Sequence, residues 1–368
     1  MTHPTRIATT LAIAVFASSA ATNAADHAVF VQTNAPAGNA IVVYDRSHDG
    51  TLTLAATVPT GGNGSRAIGA PSDPLASQNS LVYDRSHQLL FAMNAGSDTV
   101  SVITVDGDEL ELTQVVSSGG PFPVSIGVQN NLAYVLDAGL TGFVSGFRID
   151  DDHLEPIEAS TRTLGLANTN PPFFLSSPAQ VGFTPDGKHL LVTTKSFNLV
   201  DVFAVEHDGQ LSAQPVRNPE APLPFPFVFG PADLLALVTA GNSSVATFSI
   251  AQDGTLVPRG APVSDGQAAA CWIISAHEFA YVANTGSNDI SQYRIRADGS
   301  VTLVNATAAS GIPGATDMTT AGGGKFLYVL SGTSATVYAY RVEGDGSLTF
   351  LQTVAVPNGA NMEGIAAN

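Results

Sequence analysis

A single cysteine, Cys271, stands in a chain of 368 residues. It has no partner for an intramolecular disulfide, so packing and hydrogen bonds must hold the fold. The thiol lies in an apolar run, residues 268–275, with neither a base nor a cation beside it in sequence, and is expected to pack in the core. Cations are scarce as well: 14 Lys and Arg face 31 Asp and Glu, for a formal charge of −17. That balance excludes a nucleic-acid partner, because phosphate binding needs a basic surface. Beyond the N-terminus no apolar run approaches the length of a membrane span. The eight histidines form neither an HExxH pair nor a His/Cys cluster, so no metal site is assigned. GxSxG, Walker and dinucleotide-binding glycine patterns are missing, and no cofactor is assigned. Asp150, Asp151 and Asp152 carry oxygen ligands suited to calcium but read first as a hairpin turn.

What the chain does have is a repeat. Residues 89–105, LLFAMNAGSDTVSVITV, place two short β-branched and apolar runs around a cluster of small turn formers, the pattern of an antiparallel hairpin. Related phrases start at Ala28, Leu132, His189, Leu234, Phe279 and Phe326. A period of roughly 45 residues signals a propeller or solenoid. Upstream of each hairpin lies another short strand. Downstream comes a fourth, after a turn such as His207-Asp208-Gly209 or Gly344-Asp345-Gly346, where Asp-Gly is expected to take positive φ at both central positions. The expected fold is therefore all-β: a seven-bladed β-propeller with four antiparallel strands per blade. The first repeat lacks an inner strand, and residues 361–367 resemble one. The C-terminal strand is thus expected to complete the first blade and close the ring, hiding otherwise exposed sheet edges.

Residues 1–25 read as a secretory signal peptide: Arg6, an apolar stretch over residues 7–17, then small residues. Residues 26–368 form the propeller, with a periplasmic or secreted location expected and a monomer as the expected state.

In such a blade the links from outer strand to next inner strand share a face of the ring with the turns between second and third strands. Three of those links are long, residues 60–79, 161–179 and 212–226, so any pocket should open on their face. Asp317, Glu363 and Asp137 are the candidate general bases there. Lys195 and Arg66 are candidates to hold an anion. Asn94, Gln180, Asn284 and Trp272 are candidate substrate-binding groups, with Asn79, Asn242 and Asp73 on the same face. Each has a plainer alternative. Turn asparagines can bond their own backbone, Lys195 can be a solvated surface charge, and Trp272 can pack in the core. Phe173 and Phe174 can line a pocket or anchor their loop.

The phrase Y-V-x-N-x-G-S-x-x-[ILV]-S-x-[YF], carried by residues 281–293, resembles the lactonase-like seven-bladed propellers, a group that includes bacterial 6-phosphogluconolactonase and fungal carboxymuconate cyclase. Phe183-Thr184-Pro185-Asp186-Gly187-Lys188 is similar to that family's F-x-P-D-G-K turn, and the resemblance covers the whole mature chain. Where the cytosolic phosphogluconolactonases carry His-rich segments, this chain has residues 119–124, 176–183 and 240–244 without histidine, so no family His or Arg is carried over. The resemblance implies an exported lactonase-like hydrolase acting on a small lactone or sugar derivative. The alternative is a non-catalytic propeller of the cell envelope that binds a ligand or protein.

Overall fold

The turn chemistry sets the blades. Five Asp-Gly turns share one geometry: the amide of Gly50, Gly209, Gly254, Gly299 or Gly346 donates to the carbonyl three residues earlier, and the hairpin closes around it. In each, the Asp Oδ1 accepts the amide two residues on, as Asp49 does from Thr51 at 3.0 Å. Only the glycine is left-handed, with φ of 89° at Gly50 and 83° at Gly209. This corrects the expectation of positive φ at both positions: the aspartate sits in an ordinary right-handed turn and the glycine forms the bulge that ends it.

A computed structural model describes residues 27–220 and 222–368; the signal-peptide assignment lies outside the described residues. Seven antiparallel sheets form a ring. Their innermost strands, in ring order, are Ile365–Ala367, Leu81–Asp84, Pro123–Gln129, Pro178–Phe183, Pro224–Phe229, Ala270–Ala276 and Ala315–Ala321, each packed against the next. Ile365–Ala367 pairs with Ala28–Gln32 and completes the first blade. Asn368 clasps the start of that blade, its Oδ1 accepting from the Ala28 amide at 2.6 Å.

The core lies between blades, where buried Val, Leu, Ile and Phe of adjacent sheets interdigitate. A tyrosine staple recurs three times. Tyr134, Tyr281 and Tyr328 each donate from the hydroxyl to the glycine carbonyl of the next blade's Asp-Gly turn, at 2.7, 2.6 and 2.8 Å. The last of these, to Gly50, spans the ring closure.

Two of the long links contain strand. Val216–Pro219, within residues 212–226, is the fourth strand of blade 4, and Arg162–Thr163, within residues 161–179, continues the outer edge of blade 3. Pro215 and Pro219 hide the first in the sequence pattern, and an outermost strand tolerates proline because one of its edges is unpaired; the second is only two residues long.

The two faces segregate as the topology requires. On one face the turns between second and third strands bond the incoming links: Gly96 N to Asn63 O, Gly139 N to Pro121 O, Gly286 N to Ala268 O and Gly332 N to Gly314 O. The Asp-Gly turns lie on the other. That opposite face also carries a depression of about 900 Å³ between the turns of residues 184–189, 204–207 and 249–252, but it is open surface.

Candidate functional site

The link from blade 1 to blade 2 enters the mouth of the central channel. Residues 73–79 thread across the ring: Ser77 Oγ donates to Val124 O at 2.8 Å, the Gln78 amide to Ala179 O at 3.0 Å, and Gln78 Nε2 to Ile273 O at 3.1 Å. Trp272 Nε1 returns a bond to Ser77 O at 3.1 Å. Blades 3, 4 and 6 thus hold one short segment, and a cavity of about 190 Å³ remains beside it.

That cavity is shaped by a recurring irregularity. The innermost strands of blades 3 to 7 all slip register near their first residues, at 123/125, 178/180, 224/227, 270/272 and 315/318. A bulge adds a residue to one strand and re-aims the side chains around it. The bulged residues include Phe225, Cys271 and Asp317. Phe225 and Cys271 line the cavity, with Trp272 edge-on to Phe225 at a centroid distance of 5.4 Å.

The charged groups gather at its floor. Asp73 lines the cavity and its carboxyl is in hydrogen-bonding contact with that of Glu363. Both are buried, at 6 % and 2 % exposure. Asp73 Oδ1 accepts the Ala76 amide at 2.7 Å and Glu363 Oε2 the Leu75 amide at 3.1 Å. Burial raises Asp73 above the ordinary carboxylate range, against the pull of Glu363, Lys195 and those amides. Burial raises Glu363 further, and the Asp73 charge adds to it. Two carboxyls so placed share one proton: Glu363 holds it and Asp73 is the member that ionises. Asp317 stands beside the pair, its Oδ1 accepting the Met318 amide at 2.8 Å, and burial pushes it up to about 7.

Lys195 faces the acids from blade 4. Its ammonium donates to Ala76 O at 2.6 Å, Ser177 Oγ at 2.8 Å and Pro178 O at 3.2 Å, and lies 5.2 Å from the Phe225 ring centroid. Burial lowers it to about 7, against the attraction of Asp73. It is 3 % exposed, so the solvated-charge alternative fails. Cys271 meets here the cation that its sequence neighbours lack. Its thiol is nonetheless pushed up to about 12, first by burial, and stays a neutral group in the wall.

The remaining candidates lie elsewhere. Asn94 is fully buried: its Nδ2 donates to Ser101 Oγ at 2.8 Å, and its Oδ1 accepts from Asn39 and Thr60. Asn284 donates to Asp289 and Ser291 within its own blade. These two hold turns and do not line the cavity. Gln180 is spent between blades, with Nε2 to Phe227 O at 3.1 Å and Oε1 accepting the Phe227 amide at 2.7 Å. Asn242 caps the Thr239 hydroxyl at 2.6 Å, and Asn79 accepts the Ile126 amide at 3.0 Å through its carbonyl. Asp137 is buried in blade 3, apart from the cavity lining, with the Ser118 hydroxyl against its carboxyl. Arg66 is tied to Asn361 Oδ1 at 3.1 Å and to Pro71 O at 2.8 Å, so it anchors the plug loop to the closing segment. Trp272 is both core and cavity wall. Phe174 lines the mouth, while Phe173 pairs with Ile68 and joins two of the long links. Among the described residues no group of three or more His, Cys, Asp or Glu is arranged to hold a metal ion.

A family model of the lactonase seven-bladed β-propellers matches residues 72–363. The chain belongs to this family. Comparison with curated proteins finds no match. Among solved structures, this lactonase-family chain is similar to a Lactobacillus plantarum protein at 20 % identity and a TM-score of 0.70, over 92 % of this chain and 98 % of that one. A periplasmic gluconolactonase from Pseudomonas aeruginosa matches at 17 % identity and 0.69, over the same shares. A candidate 6-phosphogluconolactonase from Bacteroides uniformis matches at 17 % and 0.68, over 92 % and 99 %. At such identities the likeness establishes the propeller, and the chemistry must be read from the floor of the lactonase-family cavity itself.

Proposed function

We propose that this protein hydrolyses lactones at the cavity beside the plug segment. The observation that carries the reading is the Asp73–Glu363 pair, two buried carboxyls with one proton between them, of which Asp73 lines the cavity together with Lys195. Ionised Asp73 takes a proton from water as the water oxygen attacks the lactone carbonyl carbon. The positive charge of Lys195 stabilises the oxyanion that forms, in a site of low dielectric. The ring C–O bond then breaks, and the leaving oxygen takes the proton held by the pair, giving a hydroxy acid. Shifted carboxyls beneath a concave, largely apolar cavity favour this over the binding propeller, which would present a flat face with exposed aromatics.

The N-terminal apolar stretch and the periplasmic gluconolactonase among the similar structures support a periplasmic or secreted location. N-terminal sequencing of the protein from a periplasmic extract checks this, and a mature chain that retains residues 1–25 would count against it.

The activity is tested on a panel of γ- and δ-lactones. Wild type should turn over at least one of them, while Asp73→Asn and Glu363→Gln should lower kcat/KM by about 100-fold or more with the circular dichroism spectrum unchanged. A wild type inactive on every lactone, or an Asp73→Asn variant of full activity, would overturn the reading.

A further inference from the structure

The cavity narrows the choice of ring. At about 190 Å³ it suits a five- or six-membered ring with short substituents. Its mouth is apolar, framed by the partly exposed Phe174, Leu175 and Leu223.

Inside, no donor is left over for an anionic substituent, and the acceptor a ring hydroxyl would meet is Asp73, which the reaction itself uses. Among the described residues Lys195 is the only cation in the lining. An ammonium has three hydrogens, and all three are committed to Ala76 O, Ser177 Oγ and Pro178 O. Arg66, the other expected anion holder, is engaged with Asn361 and Pro71 away from the lining. The Thr285 hydroxyl in the wall already donates to Ala315 O at 2.7 Å. Asp73 repels a second negative charge, as does the formal −17 of the whole chain. A phosphate or a set of ring hydroxyls would enter only by leaving its water bonds unreplaced.

We infer that the substrate is a compact, uncharged lactone with an apolar ring or a short alkyl substituent, not a polyhydroxylated or phosphorylated sugar lactone. This rests on the lactone-hydrolase reading above and specifies it. Such a ring lies against Phe225 and Trp272 with its carbonyl toward Asp73 and Lys195.

The test compares kcat/KM of the purified protein on δ-valerolactone and γ-valerolactone with that on glucono-δ-lactone and its 6-phosphate. It also measures thermal stabilisation by δ-valerolactam, which has the same ring but a resistant amide. The alkyl lactones should exceed the sugar lactones by about 100-fold, and the lactam should raise the melting temperature. Leu223→Lys, which places an ammonium at the mouth, should narrow the gap to the 6-phosphate by about tenfold. A preference for either sugar lactone overturns the substrate class and leaves the hydrolase intact. Stabilisation by the lactam without turnover of any lactone overturns the hydrolase and keeps the ligand class. Neither turnover nor stabilisation overturns both.

Discussion

Asp137 occupies in blade 3 the position that Asn94 and Asn284 hold in blades 2 and 6, three residues after the aromatic of the repeat. In those blades the asparagine Nδ2 donates to the serine hydroxyl two residues into the facing strand, at 2.8 and 2.7 Å. The counterpart serine, Ser145, is present but bonds Thr161 Oγ1 at 3.1 Å, and the Asp137 carboxyl is left facing the Ser118 hydroxyl, which itself donates to Asp98 O and Gly120 O. Burial, opposed by Ser118 and aided by Asp98, pushes the carboxyl up to about 8. Asp137→Asn should therefore stabilise the protein at pH 8 by about 1–3 kcal/mol, the cost of an unsatisfied buried polar group. The gain should close toward pH 5, where wild type carries the proton. Urea denaturation at the two pH values checks it, and an equal gap at both would refute the account. The same residues mark how far single positions were legible. Asn94 and Asn284 were readable as turn formers because their partners lie a few residues away. Asp73 was readable as lying on the pocket's face but not as its base, and Cys271 was not readable as a site residue. Asp73 sits in an aperiodic loop, and the Lys195 beside Cys271 arrives from the turn of another blade, while Cys271 is aimed inward by a strand bulge that leaves no mark on the hydrophobic pattern.

Strands and turns were far more legible, since alternation and Asp-Gly recur with the blade, and the closing strand was visible as an inner strand missing at one end and supplied at the other. Only the turn geometry and the outer strands within the long links departed from expectation. Closure carries chemistry as well as stability, because Glu363 lies just before Ile365–Ala367 and its own amide donates to Gln32 O at 3.1 Å. Removing residues 358–368 uncovers the inner edge of Ala28–Gln32, loses the buried Met362 and Ile365, and frees Arg66 from Asn361. A loss on the order of 5 kcal/mol follows from the two side chains and the strand bonds. The truncated chain should melt well below wild type and hydrolyse no lactone; an unchanged melting curve would mean that the ring closes by other contacts. A smaller test isolates one staple. Tyr281→Phe removes the hydroxyl bonded to Gly346 O and should cost about 1–3 kcal/mol in urea denaturation, since the carbonyl stays buried and unpaired.

For the whole molecule, the buried ionisable groups fix how stability and activity follow pH. Asp137, raised to about 8, Asp317, raised to about 7, and Glu363, raised well above its ordinary value, all bind a proton more tightly in the folded chain than in the unfolded one. Their contribution is complete below about pH 4, where both states are protonated, and drains away as pH rises through 7 and 8. Lys195 runs the other way: lowered to about 7, it surrenders its proton on folding between there and its ordinary value, so its burial cost eases only above neutrality. With Asp73 and Asp201 also raised, the acids outweigh the one base, and the growing negative charge of the chain adds to the decline. The melting temperature should therefore fall steadily from pH 5 toward pH 7, the interval in which Lys195 does not yet compensate. Activity should peak within the same interval. The rising limb of kcat/KM follows Asp73, whose ionisation lies above the usual carboxylate range, and the falling limb near pH 7 follows the loss of charge at Lys195. Lys195→Met should abolish that falling limb near 7 and lower the maximum. A wild-type profile that instead climbs from pH 7 to pH 9 would remove Lys195 from the charge stabilisation assigned to it.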